Sequence, residues 1–251
     1  MIEIEDSGSI RTLKLARPPV NALSRELLGA LDAAVAAAPA AGARGLVLTG
    51  AGGRFCAGLD VQELLSLDEA GLKDFLGVFF ACLTRLAGSA IPIAAAINGH
   101  SPAGGAVLAL FCDWRVMAEG DYRIGLNEVQ VGLYPGPMIH TVLARTVGAR
   151  AAAELLPGGV LLPAAEALKV GFVDELAPHA EVEARARAWL QARLALPPEA
   201  YAQTRALVRA DLVALMAAQD SHALGEAAKR WRSPETIATL KALVARLARR
   251  A

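Results

Sequence analysis

The part of the sequence that most constrains the fold is residues 91–110, where a strand-like run, a glycine-containing turn and a helix-like run follow one another. Residues 91–97 are apolar over the length of a strand, and the apolar run after Gly104 and Gly105 has helical length. Unpaired N–H groups at a helix start favour negative charge, and glycines let a ligand approach the backbone. A tight turn without a ligand explains the same residues equally well, because a short Gly-Gly motif has low specificity.

Strand and helix patterns also alternate in the first 50 residues. Residues 2–4 and Ile10–Leu15 flank a polar turn and predict a β-hairpin. Ser24 predicts the cap of a helix that ends near residue 37, since serine oxygens accept hydrogen bonds from unpaired N–H groups. Residues 45–49 are continuously apolar, which is typical of a strand buried on both faces.

The first of the two glycine-rich turns in chain order, residues 50–60, follows that strand and leads into a helical pattern from Val61; the turn before Gly104 is the second. Asp68 predicts the cap of another helix, in which apolar residues recur at three- and four-residue steps. The chain therefore contains two junctions at which a strand passes through a glycine-rich turn into a helix. Parallel strands and covering helices are the arrangement that such units favour.

The last third of the chain is almost entirely helical in pattern. After a short strand at residues 173–176, the periodicity predicts three longer helices. We therefore expect an α/β core over residues 1–190 and a helical region over residues 191–251 that serves oligomerisation.

Composition and charge limit the partners. The 25 basic and 25 acidic residues cancel, which argues against a nucleic-acid partner that binds through a basic face. No apolar run approaches the length of a membrane span, and the first residues are acidic and unlike a targeting peptide. The three cysteines are scattered without metal-ligand spacing, so we expect buried thiols, no metal site and a cytoplasmic location.

Glu128 is the candidate acid/base residue, because it lies in a third loop directly after a short strand. If it faces the two glycine-rich turns, apolar neighbours such as Leu126, Val129 and Leu133 would raise its pKa and suit it to proton transfer. Two backbone N–H groups from those turns could then stabilise negative charge on a carbonyl oxygen. A surface carboxylate is the other interpretation of Glu128.

Five further side chains near these motifs have ordinary structural interpretations. His100 is expected to form a local hydrogen bond in its turn, Asp113 to be structural, and Asp60 to cap the helix after it. Trp114 and Tyr134 are candidates for the core, and Tyr134 could instead border a ligand pocket.

Three motifs carry a resemblance: residues 55–60 (Phe-Cys-Ala-Gly-Leu-Asp), residues 97–105 (Ile-Asn-Gly-His-Ser-Pro-Ala-Gly-Gly) and Cys112-Asp113. They resemble the enoyl-CoA hydratase/isomerase (crotonase) superfamily, over nearly the whole chain. Residues 124–128 (Ile-Gly-Leu-Asn-Glu) and 164–171 (Ala-Ala-Glu-Ala-Leu-Lys-Val-Gly) are similar to the mitochondrial-type 3,2-trans-enoyl-CoA isomerases within that superfamily.

The resemblance implies an α/β fold that is a spiral of ββα units with a helical C-terminal trimerisation region. It implies a homotrimer or a dimer of trimers, an acyl-CoA thioester as substrate, and no further cofactor, because coenzyme A is part of the substrate. The expected role is in the oxidation of unsaturated fatty acids.

The resemblance also implies roles for individual residues. Glu128 would be the catalytic acid/base, and the N–H groups of Leu59 and Gly104 would form an oxyanion hole. The residues expected to line the thioester and pantetheine path are Ala57, Gly58, Asp60, Val61 and Asn127.

Val107 separates the possible reactions. Hydratases of the superfamily use two glutamates to handle a water, and the position of one of them is occupied here by Val107. Valine neither activates nor orients water, whereas isomerisation needs a single base that moves a proton from C2 to C4. We therefore expect a 3-enoyl-CoA isomerase; the alternatives are a hydratase or other acyl-CoA lyase, and a non-catalytic acyl-CoA-binding paralogue.

Overall fold

The computed structural model describes residues 1–218 and 221–249, which form nine strands and eleven α-helices. The strands are β1 (Ile2–Ser7), β2 (Ile10–Leu15), β3 (Gly45–Gly50), β4 (Ile93–Ile97), β5 (Ser101–Pro102), β6 (Trp114–Ala118), β7 (Arg123–Gly125), β8 (Leu162–Pro163) and β9 (Glu175–Ala177). The helices are α1 (Arg25–Ala37), α2 (Val61–Ser66), α3 (Glu69–Ala87), α4 (Gly104–Leu110), α5 (Gly136–Val147), α6 (Ala149–Gly158), α7 (Ala164–Lys169), α8 (Val182–Leu194), α9 (Pro198–Ala217), α10 (Ser221–Trp231) and α11 (Pro234–Ala248). None of the helices within these described ranges is long and apolar enough to cross a membrane.

The main sheet has six strands in the order β1-β2-β3-β4-β6-β9. The predicted hairpin is confirmed, because β1 and β2 pair antiparallel with Ser7 opposite Ile10. The other neighbouring strands pair parallel, and every residue of β3 and β4 is buried. Since parallel strands end at the same edge, the turns after β3 and β4 emerge side by side.

Helices cover both faces of this sheet. The predicted caps are confirmed: the Ser24 hydroxyl accepts from Leu27 N (3.1 Å) and the Asp68 carboxylate from Gly71 N (2.7 Å), at the starts of α1 and α3. These two helices pack against each other over the larger core. Helix α8 covers the opposite face, where Leu190 lies in a smaller core with side chains of β3, β4 and β6.

A second sheet of three strands, β5-β7-β8, carries the loop that contains Glu128. Strand β7 runs parallel to β5 with Gly125 opposite Pro102, and it pairs antiparallel with β8. The chain from β5 enters α4, and the chain from β7 reaches Glu128 three residues after Gly125. This pairing places the Glu128 loop beside the start of α4.

The C-terminal part contains four helices, α8 to α11, where the sequence pattern predicts three. One of the breaks follows α10, where Ser233 caps α11 through a hydrogen bond from Thr236 N (3.2 Å) and a proline begins the helix. The predicted boundary at residue 190 falls inside α8, which packs on the main sheet. Residues 219, 220, 250 and 251 of the predicted helical region lie outside the described residues.

A buried ion cluster joins α9 to the main sheet. The Arg205 guanidinium donates two hydrogen bonds of 2.9 Å to the Asp113 carboxylate and one of 2.5 Å to Ser89 O. Arg209 donates to the same carboxylate (3.2 Å) and to Phe111 O (2.9 Å). The prediction that Asp113 is structural is therefore confirmed.

We expect Asp113→Asn to lower the free energy of unfolding by about 3–5 kcal/mol, because two buried guanidinium groups then lose their shared carboxylate. Urea denaturation at pH 7 measures the difference. The matched control is Asp6→Asn, which removes a carboxylate from an exposed ion pair with Arg11 and should change stability little. Equal small effects of both substitutions would contradict a stabilising role for the cluster.

Candidate active site

Two backbone hydrogen bonds join the first glycine-rich turn to Leu23. Leu23 N donates to Gly58 O (2.8 Å) and Leu23 O accepts from Asp60 N (3.0 Å), which forms a parallel bridge between Leu23 and Leu59. In such a bridge the residue between the two bonded neighbours directs its own N–H to the opposite side. Within the described residues the Leu59 N–H donates no hydrogen bond, so it is available to a ligand.

Asp60 ends this turn and begins the next helix. Its carboxylate accepts hydrogen bonds from Gln62 N (3.0 Å) and Glu63 N (3.2 Å), so the predicted cap of α2 is confirmed. The second carboxylate oxygen pairs with the Arg17 guanidinium (2.5 Å). Val61, another predicted site residue, is the first residue of α2 and is half-buried.

The second turn ends at Ala103, whose φ of +47° is unusual for a residue with a side chain. Ala103 N donates to Gly125 O (2.8 Å), which fixes the turn against β7. Gly104 is the first residue of α4, so the helix offers its N–H no partner one turn earlier. A Cβ on Gly105 would lie 2.4 Å from Cys56 O, so α4 packs directly on the backbone of the first turn.

The two turns meet at Gly58 and Gly104. A Cβ on Gly58, where φ is +92°, would lie 3.3 Å from Gly104 N, and a Cβ on Gly104 would lie 3.3 Å from Leu59 N. The structure therefore brings together the two N–H groups that the sequence selects. Two adjacent donors of this kind can stabilise an oxygen that gains negative charge.

Glu128 is 8% exposed, so the interpretation as a surface carboxylate is wrong. Its burial raises its pKa from 4.5 to about 7, as the predicted apolar surroundings require. Leu126 and Leu133 are buried with it, whereas Val129 is exposed and contributes less than predicted. Within the described residues the Oε2 atom of Glu128 has no hydrogen-bond partner.

Asn127 and Val107 are two further positions that the sequence selects. Asn127 is half-buried, and its Oδ1 atom has no hydrogen-bond partner within the described chain. Val107 lies one turn into α4, every residue of which is buried. Among the residues that the sequence selects, the structure thus shows a desolvated carboxylate and a fully buried apolar helix.

A family model described as enoyl-CoA hydratase/isomerase matches residues 5–230 of the chain. The chain belongs to this family. It is 36% identical over 212 residues to the mitochondrial enoyl-CoA delta isomerase 1 of Rattus norvegicus, covering 83% of this chain and 73% of that protein. It is 34% identical over 209 residues to a probable enoyl-CoA hydratase of Mycobacterium avium (strain 104), covering 82% and 79%.

The fold comparison agrees with the family assignment. The crystal structure of human mitochondrial delta3-delta2-enoyl-CoA isomerase superposes with a TM-score of 0.95 at 31% identity, covering 99% of this chain and 98% of that one. The predicted crotonase-type α/β fold is therefore confirmed, and the chain is an enzyme of the hydratase/isomerase superfamily.

The sequence also supports predictions for one histidine and two aromatic residues near these motifs, and their outcomes differ. The His100 ring accepts a hydrogen bond from Arg123 N (3.2 Å), as expected for a turn histidine. Tyr134 is 55% exposed, so its placement in the core is wrong; its loop lies at the surface. Trp114 is half-buried and stacks on Trp189, with ring centroids 5.5 Å apart.

Two contributors to the site carry no recognisable motif. The Thr236 hydroxyl of α11 donates a hydrogen bond to Gly132 O (2.6 Å). This bond attaches the C-terminal helices to the loop that contains Glu128. Asn21 joins the loop before α1 to the first glycine-rich turn through its side-chain amide. Asparagine in a proline-containing loop is a weak signal, and nothing local marks a threonine that bonds a loop about a hundred residues earlier.

The described chain brings no group of three or more His, Cys, Asp or Glu side chains together in a manner that could hold a metal ion. All three cysteines are buried, and burial raises the thiol pKa of Cys56 and of Cys112 to about 12. The thiols therefore stay protonated and act as small apolar side chains.

Because the Glu128 carboxylate is buried, we expect Glu128→Gln to be more stable than the wild type by an amount that depends on pH. Because the folded-state pKa of about 7 lies above the ordinary value of 4.5, the wild type loses stability as the pH rises between these values. The difference in unfolding free energy between Glu128→Gln and wild type should grow by on the order of 3 kcal/mol from pH 4 to pH 8.

Urea denaturation across this pH range measures the difference. Glu5→Gln, at an exposed carboxylate of β1, is the matched control and should give a nearly constant difference from wild type. A constant difference for Glu128→Gln as well would mean that the carboxylate is solvated in the folded protein.

Proposed function

We propose that this protein is a 3,2-trans-enoyl-CoA isomerase that moves the double bond of a 3-enoyl-CoA thioester to the trans-2 position, in the oxidation of unsaturated fatty acids. The observation that carries the proposal is Glu128: one buried carboxylate with a free oxygen and a pKa of about 7, three residues beyond the strand that pairs with the second turn. The likeness to enoyl-CoA isomerases in sequence and fold supports the same reaction.

In the proposed reaction the Glu128 carboxylate removes a proton from C2, next to the thioester carbonyl. The C2–H electrons pass into the conjugated system and place negative charge on the thioester oxygen, which the N–H groups of Leu59 and Gly104 stabilise. The protonated Glu128 then returns a proton to C4, and the double bond forms between C2 and C3. A pKa near neutrality suits one group to both steps.

The surroundings of Glu128 support isomerisation over water addition. Val107 offers no hydrogen bond to a water, and α4 is buried along its whole length. Hydration needs a water that is both positioned and deprotonated. Two carboxylates can share these tasks, whereas a single carboxylate beside an apolar helix holds and activates a water less well. The orientation of one base towards C2 and C4 suffices for isomerisation.

The remaining predicted residues are assigned to the substrate path. We propose that the backbone of Ala57, Gly58 and Val61 borders the thioester and pantetheine, and that the free Oδ1 atom of Asn127 accepts a hydrogen bond from the substrate. Asp60 shapes the path by beginning α2, because its carboxylate is engaged by Arg17 and by the start of α2 and its backbone N–H by Leu23 O.

We also propose an oligomeric state, a cofactor requirement and a cellular location for the enzyme. A homotrimer or a dimer of trimers would cover apolar side chains of α9 such as Leu207 and Val208, which are 75% and 59% exposed. Coenzyme A enters as part of the substrate, and the proposed steps require no metal or redox cofactor. Three free, buried thiols support a reducing, cytoplasmic location.

A hydratase or another acyl-CoA lyase is the second candidate, favoured by the 34% identity to a probable enoyl-CoA hydratase. A non-catalytic acyl-CoA-binding protein is the third, and it would bind thioesters without converting them. The retained carboxylate and the two N–H groups favour catalysis over binding alone.

We expect wild type to convert trans-3-hexenoyl-CoA to the conjugated 2-enoyl thioester, and Glu128→Gln to lose at least about 100-fold in kcat, because the amide cannot accept the proton. Absorbance of the conjugated thioester measures isomerisation, with 2-hexenoyl-CoA hydration assayed in parallel. The wild-type rate should rise with pH to an apparent pKa of about 7, since the base must be ionised.

Hydration as fast as isomerisation would favour the hydratase. Binding of hexenoyl-CoA without turnover of either kind would favour the non-catalytic protein. Full isomerase activity in Glu128→Gln would exclude the proposed base.

We also expect Gly58→Ala to reduce kcat roughly 100-fold, because the new Cβ would lie 3.3 Å from Gly104 N and strain a residue whose φ is +92°. The matched control is Gly77→Ala, within α3, where a Cβ meets no atom within 4 Å. This control should retain wild-type kcat. Unchanged activity in Gly58→Ala would show that the junction of the two turns is not where the thioester oxygen binds.

A further inference from the structure

The loop before α1 contains a buried amide that the proposed mechanism does not use. Asn21 is 2% exposed and has a φ of +54°, a conformation that asparagine tolerates better than most residues. Its backbone N–H donates to Arg17 O (2.8 Å), which closes the loop on itself. The side chain is therefore directed inwards from a tight turn.

The Asn21 amide links both ends of this loop to the first glycine-rich turn. Its Oδ1 accepts from Arg17 N (3.0 Å). Its Nδ2 donates to Ala51 O (3.0 Å), Arg54 O (2.8 Å) and Phe55 O (3.3 Å). These carbonyls belong to residues 30 to 34 positions later in the chain, so the amide does more than shape its own turn.

The backbone ladder that orients Leu59 begins beside this amide. Ala57 N donates to Val20 O (3.0 Å), immediately before Asn21. Two residues after Asn21, Leu23 forms the bridge with Leu59. The register of residues 20–23 against residues 57–60 is therefore set next to the Asn21 side chain, and that register determines where the Leu59 N–H is directed.

We propose that Asn21 is a positioning residue, which orients the Leu59 N–H towards the thioester oxygen by fixing the register of residues 20–23 on the first glycine-rich turn. This inference rests on the proposed role of Leu59. A donor group is required at Asn21, since three carbonyl oxygens surround Nδ2 and a carboxylate would offer them no hydrogen. Asn21 contributes through Leu59 and is not itself assigned a contact with the substrate.

The test compares Asn21→Gly with Thr49→Val. Glycine keeps the positive φ and removes the amide, so it separates the hydrogen bonds from backbone strain. Thr49→Val removes another buried side-chain hydrogen bond, from Thr49 to Ala96 O (2.9 Å), between the strands that lead to the two turns. Both variants should lose stability, and only Asn21→Gly should alter the direction of the Leu59 N–H. Asn21→Asp, which keeps Oδ1 and loses the donor, replaces Asn21→Gly if that variant does not fold.

The deciding measurement is the carbonyl stretching frequency of hexanoyl-CoA labelled with ¹³C at C1, taken by infrared difference spectroscopy on the bound ligand. A saturated thioester reports donor geometry whether or not the protein isomerises anything. We expect a lowered frequency in wild type and Thr49→Val and a smaller lowering in Asn21→Gly. With trans-3-hexenoyl-CoA, Asn21→Gly should lose roughly 10- to 100-fold in kcat with a much smaller change in KM.

Each outcome decides the inference. A carbonyl frequency in Asn21→Gly equal to that of wild type would overturn it, as would a fall in kcat no larger than that of Thr49→Val. No lowering in wild type would remove the proposed role of Leu59, and with it the role of Asn21. A normal lowering without isomerisation would reject the proposed reaction and leave the positioning role of Asn21 standing.

Discussion

The site depends on one close approach of two backbones. The turn after β3 and the turn before α4 come so near that a Cβ at Gly58 or Gly104 would be tightly packed against the facing turn, and Gly105 lies directly on Cys56 O. A Cβ at Gly58 or Gly104 would lie only 3.2–3.3 Å from the facing turn, so the two turns would have to move apart, and a Cβ at Gly105 would lie 2.4 Å from Cys56 O. Glycine is therefore required here for close packing at all three positions, and at Gly58 for a positive φ as well.

A second constraint is the burial of Glu128, which is favourable for proton transfer and unfavourable for stability. Desolvation raises the pKa of the carboxylate to about 7, and its Oε2 atom has no partner within the described residues. Elsewhere in the described residues, Asp113 pairs with the guanidinium groups of Arg205 and Arg209. Within the described residues, the charges around Asp113 are paired, whereas the Glu128 carboxylate has no charged partner and is the group that we propose for proton transfer.

Local features of the structure could be predicted from the sequence because their causes are local. Ser24, Asp60 and Asp68 cap helices through N–H groups within three residues, and the hairpin and the buried strand β3 follow from apolar patterning. Two predictions failed, and only the one for Tyr134 concerns longer-range packing; the start of α11 at Ser233 and Pro234 is a local signal that the periodicity does not register. Tyr134 looks apolar enough for the core but lies on a surface loop, and a break after α10 divides the C-terminal region into one more helix than the periodicity indicates.

By itself the sequence determined the hairpin, the buried strand β3, the two glycine-rich turns with the helices after them, and the family, because these depend on residue types and short spacings. Only the tertiary structure decided that Glu128 is buried, that the N–H groups of Leu59 and Gly104 are neighbours, and that Asn21 bonds backbone carbonyls of residues 51–55 in the first glycine-rich turn. Burial and hydrogen-bond partners depend on which distant segments come together. The physical reason is that parallel pairing of β3 with β4 and of β5 with β7 assembles the site from residues widely separated in the chain.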